Sequence, residues 1–221
     1  MAWKSFYLSA GMLSALARPF LKAVTGAAFL PNGPVLVAAP HTSFLDGPLL
    51  ALAYAREKLL PLHMIAYREP FSHWLLGWIL RSGGAIPFRR GDKDSQFGML
   101  TAALGWLAAG EAVGIFPEGH LNPADRLNRP RPGLALLALE SGLPIVPAVV
   151  SGSELVLPPG ARMPRLGRTA RVVFGQPIRL FPKERRYASL PREERAEMIR
   201  NIGFRTMAAL AELSGKPPPE D

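Results

Sequence analysis

The chain has 221 residues, 48% of them hydrophobic and 19% charged, which is enough for one large α/β core and too apolar for a disordered protein. Its 26 Lys and Arg against 17 Asp and Glu leave a formal charge of +9, a balance that suits anionic lipid headgroups, nucleic acid or a phosphorylated acidic carrier. With no cysteine present, disulfides, thiolate metal sites and a Cys nucleophile are excluded.

Residues 3–29 carry Trp3, Phe6, Tyr7, Leu8, Met12, Leu13, Phe20 and Phe29, punctuated by Lys4, Arg18 and Lys22. The longest uncharged run, Ser5 to Ala17, is 13 residues and too short to cross a bilayer. Ala15-Leu16-Ala17 resembles a signal cleavage site, but Ser9, Gly11 and Ser14 interrupt the apolar stretch a signal needs. Two short amphipathic helices over residues 1–30, lying in or against a membrane interface, are expected instead. The alternative is helices packed on the core.

Val35-Leu36-Val37-Ala38-Ala39 reads as a buried strand ending at Pro40. His41, Thr42, Ser43 and Asp46 follow, then Leu49, Leu50 and Leu52 among alanines, a helical pattern. Thr42 or Ser43 is the expected N-cap, with Asp46 in the acidic place of a capping box. Further strands are expected at 62–66, 85–88, 112–116, 145–150 and 171–174. Helices are expected at 70–82, from Asp94 or Ser95 to about Ala109, at 133–141 and at 192–213. The tail, residues 216–221, should fray.

Alternating strands and helices predict an α/β fold, a single domain over 31–215 with a mixed β-sheet covered by helices on both sides. Chemistry in such sheets gathers at strand ends, where His41, Arg89-Arg90 and Glu118-Gly119 all fall. A His that takes a proton from a hydroxyl needs one ring nitrogen free and the other held by an acceptor. His41 and Asp46 supply that pair. Taken singly, each piece has a structural reading: a helix cap beside an incidental His, a solvated Arg turn, a tight turn at Glu118-Gly119. Together they imply a hydroxyl acceptor that carries an anion.

The histidines (His41, His63, His73, His120) lack metal-ligand spacing, so no metal site is expected. Residues 161–200 hold 11 Lys and Arg against 4 Glu. Few aromatics and no nucleic-acid-binding signature accompany them, so a membrane face is expected and nucleic acid is not.

Four blocks, in order, resemble the glycerolipid acyltransferase family, which includes the 1-acyl-glycerol-3-phosphate acyltransferases. The family's H-x4-D is His41 to Asp46, and its G-x-I-P-x-x-R is Gly84, Ile86, Pro87 and Arg90. Its F-P-E-G is Phe116 to Gly119, and its V-P block is Val146-Pro147. The family's basic-x-Gly between the last two corresponds to Arg131 and Gly133. The resemblance covers roughly residues 30 to 150. It departs after F-P-E-G, where the family's Thr-Arg-Ser is His120, Leu121 and Asn122, leaving Arg126, Arg129 or Arg131 to replace the missing Arg.

The resemblance implies transfer of a fatty acyl group from acyl-CoA or acyl carrier protein to a lysophospholipid hydroxyl, by default that of 1-acyl-glycerol 3-phosphate. No cofactor beyond the donor is implied. His41 would be the general base and Asp46 would orient it. Arg90 and Arg89 would hold the acceptor phosphate, while Glu118, Gly119 and Arg131 would shape the acceptor site. Glu118 would bond a glycerol hydroxyl or anchor an Arg. Trp74, Leu75, Trp78 and Ile79 would pack in the core or line an acyl tunnel. The expected location is the cytoplasmic face of a membrane, peripheral or monotopic, on anionic lipid. Glycerol 3-phosphate or a lyso-aminolipid as acceptor, and a basic non-enzymatic membrane protein on the same fold, are the alternatives. No G-x-S-x-G of a serine lipase occurs. Ser43 as a nucleophile beside His41 is the remaining hydrolytic reading.

Overall fold

Val35 to Ala39 are all fully buried, because a strand in the middle of a parallel sheet has helices on both faces. Val35, Val37 and Ala39 meet one core with Leu49, Leu50, Ala53 and Tyr54. Leu36 and Ala38 meet the other, with Met99, Leu134, Leu137 and Ile202. Burial pushes the Tyr54 hydroxyl up to about 12.

The computed structural model describes residues 17–161, 163–179 and 191–220, and for residues 75, 76 and 79 the backbone alone. Seven strands form one sheet: β1 (Leu21–Thr25), β2 (Leu36–Ala38), β3 (Leu62–Tyr67), β4 (Ile86–Phe88), β5 (Ala112–Ile115), β6 (Ile145–Ser151) and β7 (Ala170–Phe174). Their order is β1-β7-β6-β2-β5-β3-β4. Strands β2 to β6 run parallel to one another, and β7 is antiparallel to β6 while pairing parallel with β1. The sheet is mixed, as expected. The helices are α1 (Asp46–Lys58), α2 (Trp74–Ser82), α3 (Lys93–Ala108), α4 (Pro132–Ser141), α5 (Ser153–Val156) and α6 (Arg192–Ser214).

Four local expectations change. Residues 1–16 of the expected N-terminal helices lie outside the described residues. The remainder is two 3-10 turns around β1, an edge strand against β7. Val24-Thr25 is β-branched and Leu21 and Val24 pack on the core, so pairing covers the edge that β7 would expose. The sheet therefore begins before residue 31. The segment 70–82 is split into a 3-10 turn at Glu69–Ser72 and α2. Helix α3 starts a residue early because Asp92 caps it, accepting from Ser95 N at 3.0 Å.

The fourth change is the tail. Leu127 N donates to Pro217 O at 3.1 Å, Lys216 Nζ to Ala124 O at 2.6 Å and Arg129 Nε to Glu220 O at 3.1 Å, while Arg126 pairs with the Glu220 carboxylate. Lys216 to Glu220 thus straps the loop 122–131 instead of fraying. Pro217 to Pro219 are stiff before they dock and lose little entropy.

Candidate active site

The five parallel strands deliver their C-terminal ends to one edge of the sheet. His41 stands three residues past β2, and Asp46 opens α1. Neither Thr42 nor Ser43 caps that helix: its N-cap is Leu45, with no side-chain cap bond. The carboxylate reaches back instead. Asp46 Oδ2 accepts from Thr42 N at 2.6 Å, from Ser43 N at 2.8 Å and from His41 Nδ1 at 3.1 Å. Asp46 Oδ1 accepts from Ser153 Oγ. With four donors on a side chain 1% exposed, the carboxylate is fixed in place. His41 Nδ1 therefore carries the proton, and Nε2 presents its lone pair. Among the described residues Nε2 has no partner, and the side chain is 15% exposed. The ring stacks on Phe116, centroids 3.9 Å apart and planes within 7°.

Past β5, Glu118 is fully buried. Its Oε2 accepts from Asn122 Nδ2 and, at 2.9 Å, from Asn128 N. Its Oε1 has no hydrogen-bond partner among the described residues. Glu118 thus anchors the loop 122–128, and among the described residues it holds no Arg. Asn122 N also donates to His41 O at 2.6 Å, tying this loop to the dyad. Gly119 has φ +68°, and a Cβ there would lie 3.0 Å from Arg131 Cγ. The glycine lets the arginine stem cross it while its carbonyl accepts from Tyr67 Oη.

Arg89 and Arg90 follow β4, both exposed. Arg89 N is held by Ser95 Oγ at 2.8 Å. Three strand spacings separate β4 from β2, about 14 Å, so the structure sets these arginines apart from His41 along the same edge. Of the candidates for the missing Arg, Arg126 and Arg129 contact Glu220. Arg131 has no side-chain hydrogen-bond partner among the described residues, and with His120, Asn128, Arg129 and Pro130 it lines a cavity of about 320 Å³. Trp74 is 77% and Trp78 41% exposed, so neither is a core residue; the side chains of Leu75 and Ile79 lie outside the described residues. Among the described residues no three His, Asp or Glu converge as metal ligands.

The family model named Acyltransferase matches residues 22–151, more than half of the chain. The chain belongs to the acyltransferase family. The fold agrees with that of PlsC, the 1-acyl-sn-glycerophosphate (LPA) acyltransferase of Thermotoga maritima. The match has TM-score 0.61 and 21% identity, covering 96% of this chain and 80% of that one. The chain is also 29% identical over 164 residues to chloroplastic 1-acyl-sn-glycerol-3-phosphate acyltransferases of Brassica napus and Arabidopsis thaliana. That is 72% of this chain, and 46% and 44% of theirs. It therefore spans under half the length of these relatives. Within this acyltransferase frame, Ser153 and Tyr67 escape a reading of the sequence, and Asn122 and Phe116 stand in it only as motif positions, without the contacts they make. Ser153 does carry a signal that could have found it, a hydroxyl just past the end of β6 beside β2.

Proposed function

We propose that the protein transfers a fatty acyl group from an acyl thioester, acyl-CoA or acyl carrier protein, to the free hydroxyl of 1-acyl-glycerol 3-phosphate, giving phosphatidic acid. The observation that carries this is the His41–Asp46 pair at the sheet edge, with Nδ1 tied down and Nε2 unoccupied among the described residues. The names of the relatives support the acceptor.

His41 Nε2 takes the hydroxyl proton as the oxygen attacks the thioester carbonyl. The tetrahedral intermediate collapses, the C–S bond breaks, and the imidazolium returns the proton to the departing thiolate. Asp46 steadies the imidazolium between those steps. A thioester is activated enough for this single displacement, so no acyl-enzyme is needed. Arg90, with Arg89, holds the phosphate by charge-assisted bonds, and Arg131 takes the place of the family Arg at Leu121. A peripheral position on the cytoplasmic face of a membrane belongs to the same proposal; among the described residues no helix is long and apolar enough to cross one.

The test is thiol release from acyl-CoA and from acyl carrier protein, with and without 1-acyl-glycerol 3-phosphate, resolving the lipid products. Release that requires the lysolipid and yields phosphatidic acid is expected, and Arg90→Ala should raise the acceptor KM. Release without acceptor would mean a thioesterase. Glycerol 3-phosphate and a lyso-aminolipid serve as competing acceptors, since Leu121 alters the headgroup loop.

A further inference from the structure

Asn122 lies in the loop after β5, yet it is 6% exposed and both ends of its side chain are in use. Its backbone N donates to His41 O at 2.6 Å. Its Nδ2 gives one hydrogen to Glu118 Oε2 and the other to Arg126 O at 2.8 Å, and its Oδ1 accepts from Ala124 N at 3.2 Å. Both N–H donors of the amide are spent, and burial closes the group to a substrate. A serine, which the family motif has at this position, carries a single O–H donor and could not serve Glu118 and the Arg126 carbonyl together.

The segment that starts at Phe116 grips His41 twice. The Phe116 ring stacks on the imidazole, and Asn122 N holds the carbonyl of the same histidine. Between these points Glu118 shares its Oε2 between Asn122 Nδ2 and Asn128 N. Asn128 Nδ2 donates to His120 Nε2 at 3.1 Å, and His120 Nδ1 donates to Glu118 O at 2.9 Å. Arg131 N, donating to Pro117 O at 2.7 Å, closes the mouth of the loop. From Pro117 to Arg131 the loop is thus one hydrogen-bonded body. Arg129 and Arg131 line its cavity, and Asn122 is where it fastens to the backbone of His41.

We infer that Asn122 is a positioning residue for His41, coupling the loop that takes the acceptor's headgroup to the base that takes its proton. This rests on the acyltransferase reading, in which Arg131 meets the headgroup and His41 Nε2 the hydroxyl. Asp46 and Phe116 set the tautomer and tilt of the ring. Asn122 sets the carbonyl, and with it the place of the ring relative to the loop. Headgroup and hydroxyl belong to one molecule, so the separation of Arg131 from His41 has to hold while the reaction proceeds. A reacting group misplaced by about 1 Å can lose about a hundredfold in rate. Asn122 therefore acts on kcat and on the acceptor KM together, whereas Ser153 acts on kcat and Arg90 on KM.

The experiment compares Asn122→Ala and Asn122→Asp with Leu127→Ala in the full chain. Leu127 is 2% exposed and packs on Met207 and Leu210, so its truncation loosens the same loop without removing a bond of Asn122. Urea midpoints are taken for each variant, and rates with acyl-CoA and 1-acyl-glycerol 3-phosphate are given per folded molecule. Asn122→Ala should lower kcat roughly thirtyfold and raise the acceptor KM about fivefold, with the acyl-CoA KM unchanged. Asn122→Asp sets a second carboxylate against buried Glu118 and should lose more. Leu127→Ala should cost at least as much stability and keep kcat within about twofold of the parent. A second readout needs no turnover. With carbon-labelled histidine the four histidines give separate ring Cε1–H resonances, and that of His41 is the one missing from His41→Ala. Asn122→Ala should move or split the His41 resonance and leave that of His63 in place, and Leu127→Ala should move neither. A His41 resonance unmoved in Asn122→Ala would overturn the inference. So would an equal loss of kcat in Leu127→Ala, which would make Asn122 a brace of the loop and nothing more, and so would a raised acceptor KM with kcat at the parental value. If the parent itself makes no phosphatidic acid, the acyl-transfer proposal fails, and the His41 resonance alone then decides the positioning.

Discussion

The molecule contains two histidine–carboxylate pairs at opposite edges of one sheet, and they are built for opposite purposes. His41 bonds Asp46 through Nδ1 and lies 15% exposed, its Nε2 unoccupied among the described residues. His63 is 1% exposed, its Nε2 held by Glu111 and its Nδ1 by Gly84 O at 2.9 Å. Each ring also stacks on an aromatic, His41 on Phe116 and His63 on Trp106, with planes within 7° in both cases. The chemistry of the two pairs is nearly the same. What separates them is the fate of one nitrogen. A ring with both nitrogens occupied can fasten β3 to the segments before β4 and β5, but it has no site for a substrate proton. The family glycine Gly84 serves this second pair: a Cβ there would lie 2.3 Å from His63 Nδ1.

Substitutions can break this contrast. His41→Ala should lower turnover about a thousandfold while leaving the urea midpoint near that of the parent. His63→Ala should do the reverse, costing about 3–5 kcal/mol by stranding a buried partner, with turnover per folded molecule nearly unchanged. If it is His63→Ala that abolishes turnover in a stable protein, the two roles are exchanged. Ser153→Ala removes a single donor from Asp46, a loss of about 1–3 kcal/mol. It should appear as roughly a tenfold drop in kcat with the acceptor KM held, whereas damage to the substrate site would move KM first. The smallest effect belongs to Glu220→Gln. Its ion pair with Arg126 is solvent-exposed and contributes under about 1 kcal/mol, so Tm should barely move. Amide exchange at Leu127 should nonetheless quicken, because the strap over that loop loosens.

Legibility in the sequence followed the range of the contacts. His41 and Asp46 lie five residues apart, so the pair, its place at a strand end and the helix after it all show in local pattern. The alternation of apolar runs likewise displays the α/β layering. The bonds that arise between distant segments left no such trace. Ser153 reaches Asp46 across 107 positions. Asn122 reads as the loss of a familiar Ser, yet its backbone and side chain join His41 to Glu118. The short apolar stretch at 21–25 satisfies a helix or a strand equally, and only the open edge of β7 decides between them. Pro-rich residues 216–220 suggest a loose end until their anchoring loop is known.

The 107-residue span to Ser153 also bears on how the protein comes into being. Strand β2 and helix α1 can bring His41 and Asp46 together early, through contacts that close a short loop at small entropic cost. The last donor to the carboxylate arrives only when β6 has taken its place beside β2, a contact of high sequence separation and hence a slow one. During synthesis the dyad would therefore exist in outline long before its carboxylate is fully held, and catalytic competence would wait until Ser153 is made and placed.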